Sequence, residues 1–121
     1  MPAIVKYLQF WLYLLYCSYL GLTPSPNQGL IATFSDKALH GGGYLLLIVS
    51  CNIAYLPNRQ LLLKIALLLG FSTAIEIAQH FIPRRGFSFG DLLANLAGLL
   101  LGAVLIVLFS RATNPKVRQQ P

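Results

Sequence analysis

Acid is almost missing from this sequence. Three of its 121 residues are Asp or Glu, and charged residues of both signs amount to only 10% against 56% hydrophobic. So short a chain cannot bury that much apolar surface in water, which excludes an ordinary soluble domain. The Leu- and Ile-rich runs do not alternate with polar residues, so helices rather than a closed barrel must satisfy the backbone in lipid. Cysteine is scarce too: Cys17 and Cys51 lie within apolar stretches without metal-ligand spacing, and packing is their expected role. No zinc motif, nucleophile elbow or phosphatase signature occurs, and neither a metal nor a cofactor is expected. The formal charge of +6 does not point to nucleic acid, because residues 111–121 carry three scattered charges and no aromatic platform.

What the chain does have is four apolar runs, residues 4–22, 39–56, 61–82 and 92–109, each long enough for a hydrocarbon core of roughly 30 Å. The expected fold is all-α, an integral membrane bundle of four transmembrane helices over residues 1–110. Residues 111–121 are expected to form a short, basic, disordered cytoplasmic tail. The first run is expected to remain as a helix, since it exceeds the usual signal-peptide core and no small-x-small site follows. Tyr16 before Cys17 is too large for a lipobox. The aromatic residues of this run, Tyr7, Phe10, Trp11, Tyr13, Tyr16 and Tyr19, suit interfacial anchoring and packing.

Orientation follows from the basic residues. Lys6, Arg59, Lys64, Arg111, Lys116 and Arg118 share one side, against Lys37, Arg84 and Arg85 on the other, which puts both termini in the cytoplasm. The six also attract anionic headgroups, and Lys64 is expected to snorkel back to that surface. The remaining ions, Asp36, Lys37, Glu76, Arg84, Arg85 and Asp91, cancel to zero and gather at the outer end. Topology does not require this balanced set.

Several of its members have ordinary explanations. Asp36 can cap the second helix, and Ser88-Phe89-Gly90-Asp91 reads as a capping box opening the fourth. His40 lies at i+4 from Asp36, whose carboxylate can fix the imidazole tautomer. Gly41, Gly42 and Gly43 suggest a close approach of another backbone or a ligand, or a local opening of the helix. In the third segment Ser72, Glu76 and Gln79 share an arc of about 60°. Glu76 lies about 7–8 Å below Phe81, too deep for a carboxylate without a partner or a wet cavity. An ion pair with Arg84 or Arg85 is the structural alternative to a functional role. In the fourth segment Asp91, Asn95, Gly98 and Gly102 again span about 60°, the two glycines forming a GxxxG packing face. Gly43 joins them as a packing residue, because Asp36-x3-His40-x2-Gly43 echoes the spacing of Asp91-x3-Asn95-x2-Gly98, as in a parallel repeat.

Three elements in this order resemble the VanZ-like membrane proteins associated with reduced susceptibility to teicoplanin. They are Asp36, Lys37, His40 and Tyr44; then Glu76 and Gln79; then Arg85, Ser88, Asp91, Asn95, Gly98 and Gly102. A phenylalanine that commonly follows the family's histidine is Gly41 here. The resemblance implies a small multi-pass protein of the bacterial inner membrane with a role in the cell envelope. It does not bring a mechanism. The expected ligand-binding residues are Asp36, Lys37, His40, Glu76, Gln79, Arg85, Asp91 and Asn95, with membrane lipids and a lipid-linked or lipophilic molecule as partners. Catalysis with His40 and Glu76 as acid and base on a lipid phosphate or acyl bond is a second reading. A transporter or lipid flippase is the third, and it needs a homo-oligomer, because no polar residues are expected to continue through the cytoplasmic half.

Overall fold

The four apolar runs form four helices in the computed structural model: α1 Ala3–Leu22, α2 Asp36–Ala54, α3 Leu61–Gln79 and α4 Phe89–Thr113. The described residues are 2–22, 36–55, 57–82 and 88–113, the Asp36 side chain excepted, and they contain no strand. Large apolar side chains such as Leu12 and Leu15 of α1, Leu62 and Leu67 of α3, and Leu101 and Phe109 of α4 face outward, whereas Ser72, Glu76, Gln79 and Asn95 are buried. A protein in water shows the reverse, and this distribution suits a bundle whose solvent is lipid. Two of the helices, α3 and α4, are long and apolar enough to cross a membrane. In α1 the tyrosines, Lys6 and Gln9 lower the apolarity, and in α2 Asp36, Lys37, His40 and Asn52 do so.

The pairing of side chains fixes the helix directions. Tyr13 donates to the Gly43 carbonyl at 2.9 Å, and Gln9 to the Ser50 carbonyl at 2.9 Å, so α1 and α2 run antiparallel. Contacts between α2 and α4 advance in the same direction, from His40 against Asn95 to Leu45 against Gly102, so these two are parallel. They share the most extensive interface of the bundle. Consecutive helices therefore alternate in direction. The starts of α2 and α4 meet the ends of α1 and α3 at what we term the upper end.

Glycine makes the α2–α4 approach possible. A Cβ on Gly98 would overlap the Gly41 carbonyl group and sit 2.8 Å from its carbon. On Gly102 it would lie 2.5 Å from Ile48 Cγ2 and 3.1 Å from the Leu45 carbonyl oxygen. The three consecutive glycines of α2 divide the work. Gly41 receives the other backbone, the Gly43 carbonyl takes the Tyr13 hydroxyl, and Gly42 has open space beside it. The helix runs unbroken through all three.

The lower end departs from the sequence expectation. Lys64 does not reach outward but is 5% exposed. Its ammonium donates to Asn52 Oδ1 at 2.8 Å, and the backbone N–H of Asn58 donates to the same oxygen at 2.8 Å. An acceptor inside the bundle thus holds the charge and the turn together, and Asn58 and Gln60 take left-handed backbone conformations there. Beside them Ser50 donates to Gln9 Oε1 at 2.6 Å. Polar residues do continue into this half, contrary to the expectation above. Asn52 and Ser50 were invisible as a cluster because their partners come from distant segments.

The glycine contacts make a paired prediction for thermal unfolding in detergent. Gly98→Ala is expected to destabilise by about 1–3 kcal/mol through overpacking of two backbones. Gly42→Ala, with nothing to meet, is expected to be neutral or stabilising by about 0.5–1 kcal/mol. Equal effects at the two positions would contradict the interface.

Candidate functional site

At the upper end, α2, α3 and α4 each turn a polar stripe inward. Helical spacing aligns Ser72 with Glu76 on α3, Asp91 with Asn95 on α4, and Lys37 near His40 on α2. Glu76, Ser72 and Asn95 are 1%, 0% and 2% exposed, so none of them is a solvated surface group. They must find partners inside the protein.

The hydrogen bonds form a connected path. The Asn95 amide nitrogen donates to Ser72 Oγ at 2.6 Å, which turns Asn95 Oδ1 toward His40 Nδ1 at 3.1 Å. The other imidazole nitrogen, Nε2, faces Asp91 Oδ2 at 3.4 Å. The second Asp91 oxygen accepts from the Lys37 ammonium, which is half exposed. The path thus runs from a buried serine to an exposed cation.

The start of α4 explains how Asp91 becomes available. In a capping box the acid three residues into the helix accepts from the N-cap backbone N–H. Here Ser88 Oγ does cap the Asp91 N–H at 3.1 Å, but the Ser88 N–H donates to Glu76 Oε2 of the neighbouring helix at 3.2 Å. Glu76 takes over the reciprocal half of the box. The Asp91 carboxylate faces Lys37 and His40 instead, so capping does not account for it as the sequence suggested.

The expected residues separate accordingly. Lys37, His40, Glu76, Asp91 and Asn95 come together, and Ser72 joins them. Gln79 is buried but donates to the Gly21 carbonyl at 2.7 Å, tying α3 to the end of α1. Arg84 and Arg85 lie outside the described residues, as does the side chain of Asp36. His80 is exposed, edge-on to Phe81. Gly43 would have room for a Cβ, the nearest atom being the Tyr13 oxygen at 4.0 Å, whereas Gly41 makes the close contact with Gly98. Ser72 carried a signal in the sequence, its position four residues before Glu76. Nothing local marked it as the residue that orients Asn95.

Chemically the cluster is a mixed site. It holds an anion-attracting ammonium, a histidine between an amide and a carboxylate, and a second carboxylate at its base. One donor atom each from His40, Glu76 and Asp91 lies within 4.8 Å of the others, a spacing on which a cation could draw.

The model of the VanZ/LLP1 family matches residues 41–110. The chain belongs to this family, and its membership and apolar helices together make it a membrane protein. The match includes Ser72, Glu76, Asp91 and Asn95 but begins one residue after His40. No curated protein and no solved structure matches the chain.

The geometry predicts that Asn95 carries more stability than its neighbours suggest. Replacement by Ala leaves both Ser72 and His40 without the amide between them, and a loss of about 1–3 kcal/mol is expected in detergent unfolding. A change within about 0.3 kcal/mol would contradict the arrangement, since even average interhelical hydrogen bonds in membranes are worth about 0.6 kcal/mol.

Proposed function

We propose that this chain is a four-span protein of the bacterial cytoplasmic membrane, with cytoplasmic termini, whose upper-end cluster binds the polar head of a lipid-linked or lipophilic cell-envelope molecule. The observation that carries this reading is the continuous polar path from buried Ser72 and Asn95 to exposed Lys37. Intramembrane ionisable groups are costly and by default mark a functional site. Lys37 supplies a charge for a phosphate, and the cluster below it supplies orientation. Arg84 and Arg85 follow α3 in the sequence and add two positive charges to the segment that joins it to α4. A role in glycopeptide susceptibility of the teicoplanin type comes with the family resemblance and is a phenotype to test by deletion.

Undecaprenyl phosphate is a suitable probe. Native mass spectrometry of the detergent-solubilised chain should retain the lipid, and Lys37→Ala should weaken retention roughly tenfold, the worth of one partly exposed charge-assisted contact. Equal retention by both proteins would refute binding at this cluster, and a cleaved product would replace binding with catalysis by His40 and Glu76. Cysteines placed at Arg85 and Lys116 should label from opposite sides of the membrane. Labelling from one side would overturn the four-span topology.

A further inference from the structure

Two hydrogen bonds join α3 to α4 in their upper halves, from Asn95 to Ser72 and from the Ser88 N–H to Glu76. Below them the same two helices border a groove of about 350 Å³, lined by Leu61, Leu100, Ala103, Val104, Val107 and Leu108, all of them apolar. Leu100, Val104 and Leu108 each leave roughly half of their surface exposed. At 1.5 Å per residue, Phe89 and Arg111 stand about 33 Å apart along α4, close to the thickness of a hydrocarbon core. Arg111 therefore lies at headgroup depth at the lower end. Leu108 to Leu100 cover roughly 5–17 Å above it, the depth of one leaflet's acyl chains.

The mouth of this groove is basic. Arg111, in the last turn of α4, is exposed, and at 100° per residue it falls within about 20° of Leu100 and Val104, so it continues the groove's own stripe. Arg59, likewise exposed, stands just before Leu61 in the turn that opens α3. Lys6 and Lys64 belong to the same end, whereas all three Asp and Glu residues of the chain, Asp36, Glu76 and Asp91, belong to the upper one. Whatever each cation touches inside the protein, the lower end as a whole keeps a positive potential.

We propose that the groove between the lower halves of α3 and α4 seats an acyl chain of an anionic phospholipid from the adjoining leaflet, with the lipid phosphate held at the mouth by Arg59 and Arg111. Basic pockets between membrane helices recognise such headgroups, and the planar fork of arginine suits a phosphate. The apolar walls accept any acyl chain, and the two arginines choose by headgroup. A second copy of the chain is a poorer occupant: copies packed side by side in one orientation bring both sets of arginines to the same depth, and like charges there oppose association. The site lies at the opposite end from the Lys37 cluster and does not rest on the reading of that cluster.

The probes are dioleoyl phosphatidylglycerol and dioleoyl phosphatidylcholine, which share acyl chains and differ in headgroup charge. Each is added to the delipidated full chain in detergent and its retention is read by native mass spectrometry. Phosphatidylglycerol should bind about 30-fold more tightly, roughly a factor of five for each arginine. Arg59→Gln and Arg111→Gln should each remove about one such factor. Val104→Trp, which fills the groove and leaves both arginines in place, should lose most of the phosphatidylglycerol, and Lys37→Ala should retain it as the wild type does. Equal retention of the two lipids by the wild type overturns the proposal, whether or not any variant folds. So does a folded Val104→Trp protein with wild-type retention, since attraction to a basic surface then needs no groove, and so does a loss in Lys37→Ala, which moves the lipid to the upper end. A lipid-free dimer that Val104→Trp dissociates also overturns it, the groove then holding a second copy. Undecaprenyl phosphate is read at Lys37 and phosphatidylglycerol at Arg111, so either result can fail without the other.

Discussion

The backbone contact of Gly41 with Gly98 sets the distances at the upper end. It brings α2 and α4 together as parallel helices with no side chain between them, and immediately above this contact His40 and Asn95 are within hydrogen-bonding distance. A larger residue at Gly98 would separate the helices and lengthen every bond in the path. The small residues and the polar cluster are therefore one device: the glycines provide proximity, and the side chains above them use it. Dispersion between close backbones supplies attraction that the hydrophobic effect does not supply in lipid.

The third helix contributes differently. Its most buried positions toward the upper end are Ser72, Glu76 and Gln79, each bonded outside its own helix. Ser72 orients Asn95, Glu76 caps α4, and Gln79 holds α1. Lipid offers no hydrogen bonds, so these side chains determine where α3 sits as much as its leucines do. Lys64 and Asn52 do the same at the opposite end.

Much of this organisation was legible in the chain. The helices follow from apolar runs of membrane length, and α4 differs from its run mainly because the cap at Ser88 and a last turn to Thr113 extend it. Lys37, His40, Glu76, Asp91 and Asn95 stood out because ionisable and amide groups are expensive in such runs. What could not be read was partnership. A capping motif is local, so Asp91 read as a cap, whereas Glu76, fifteen residues earlier, supplies half of that cap in the folded chain. Helical spacing places His40 beside Asp36, whose side chain lies outside the described residues, but it says nothing of the bonds to Asp91 and Asn95, which lie on another helix. The same limit hid the second polar cluster around Lys64.

The central claim is that His40 and Asn95 act as one unit across the α2–α4 interface. A double-mutant cycle with His40→Ala and Asn95→Ala, read by reversible unfolding in detergent, tests it most directly. Residues that share a hydrogen-bonded network show coupling of about 0.5–3 kcal/mol, and a value in that range is predicted. Additivity within about 0.3 kcal/mol would mean that the two side chains do not meet, and the site as described would not exist.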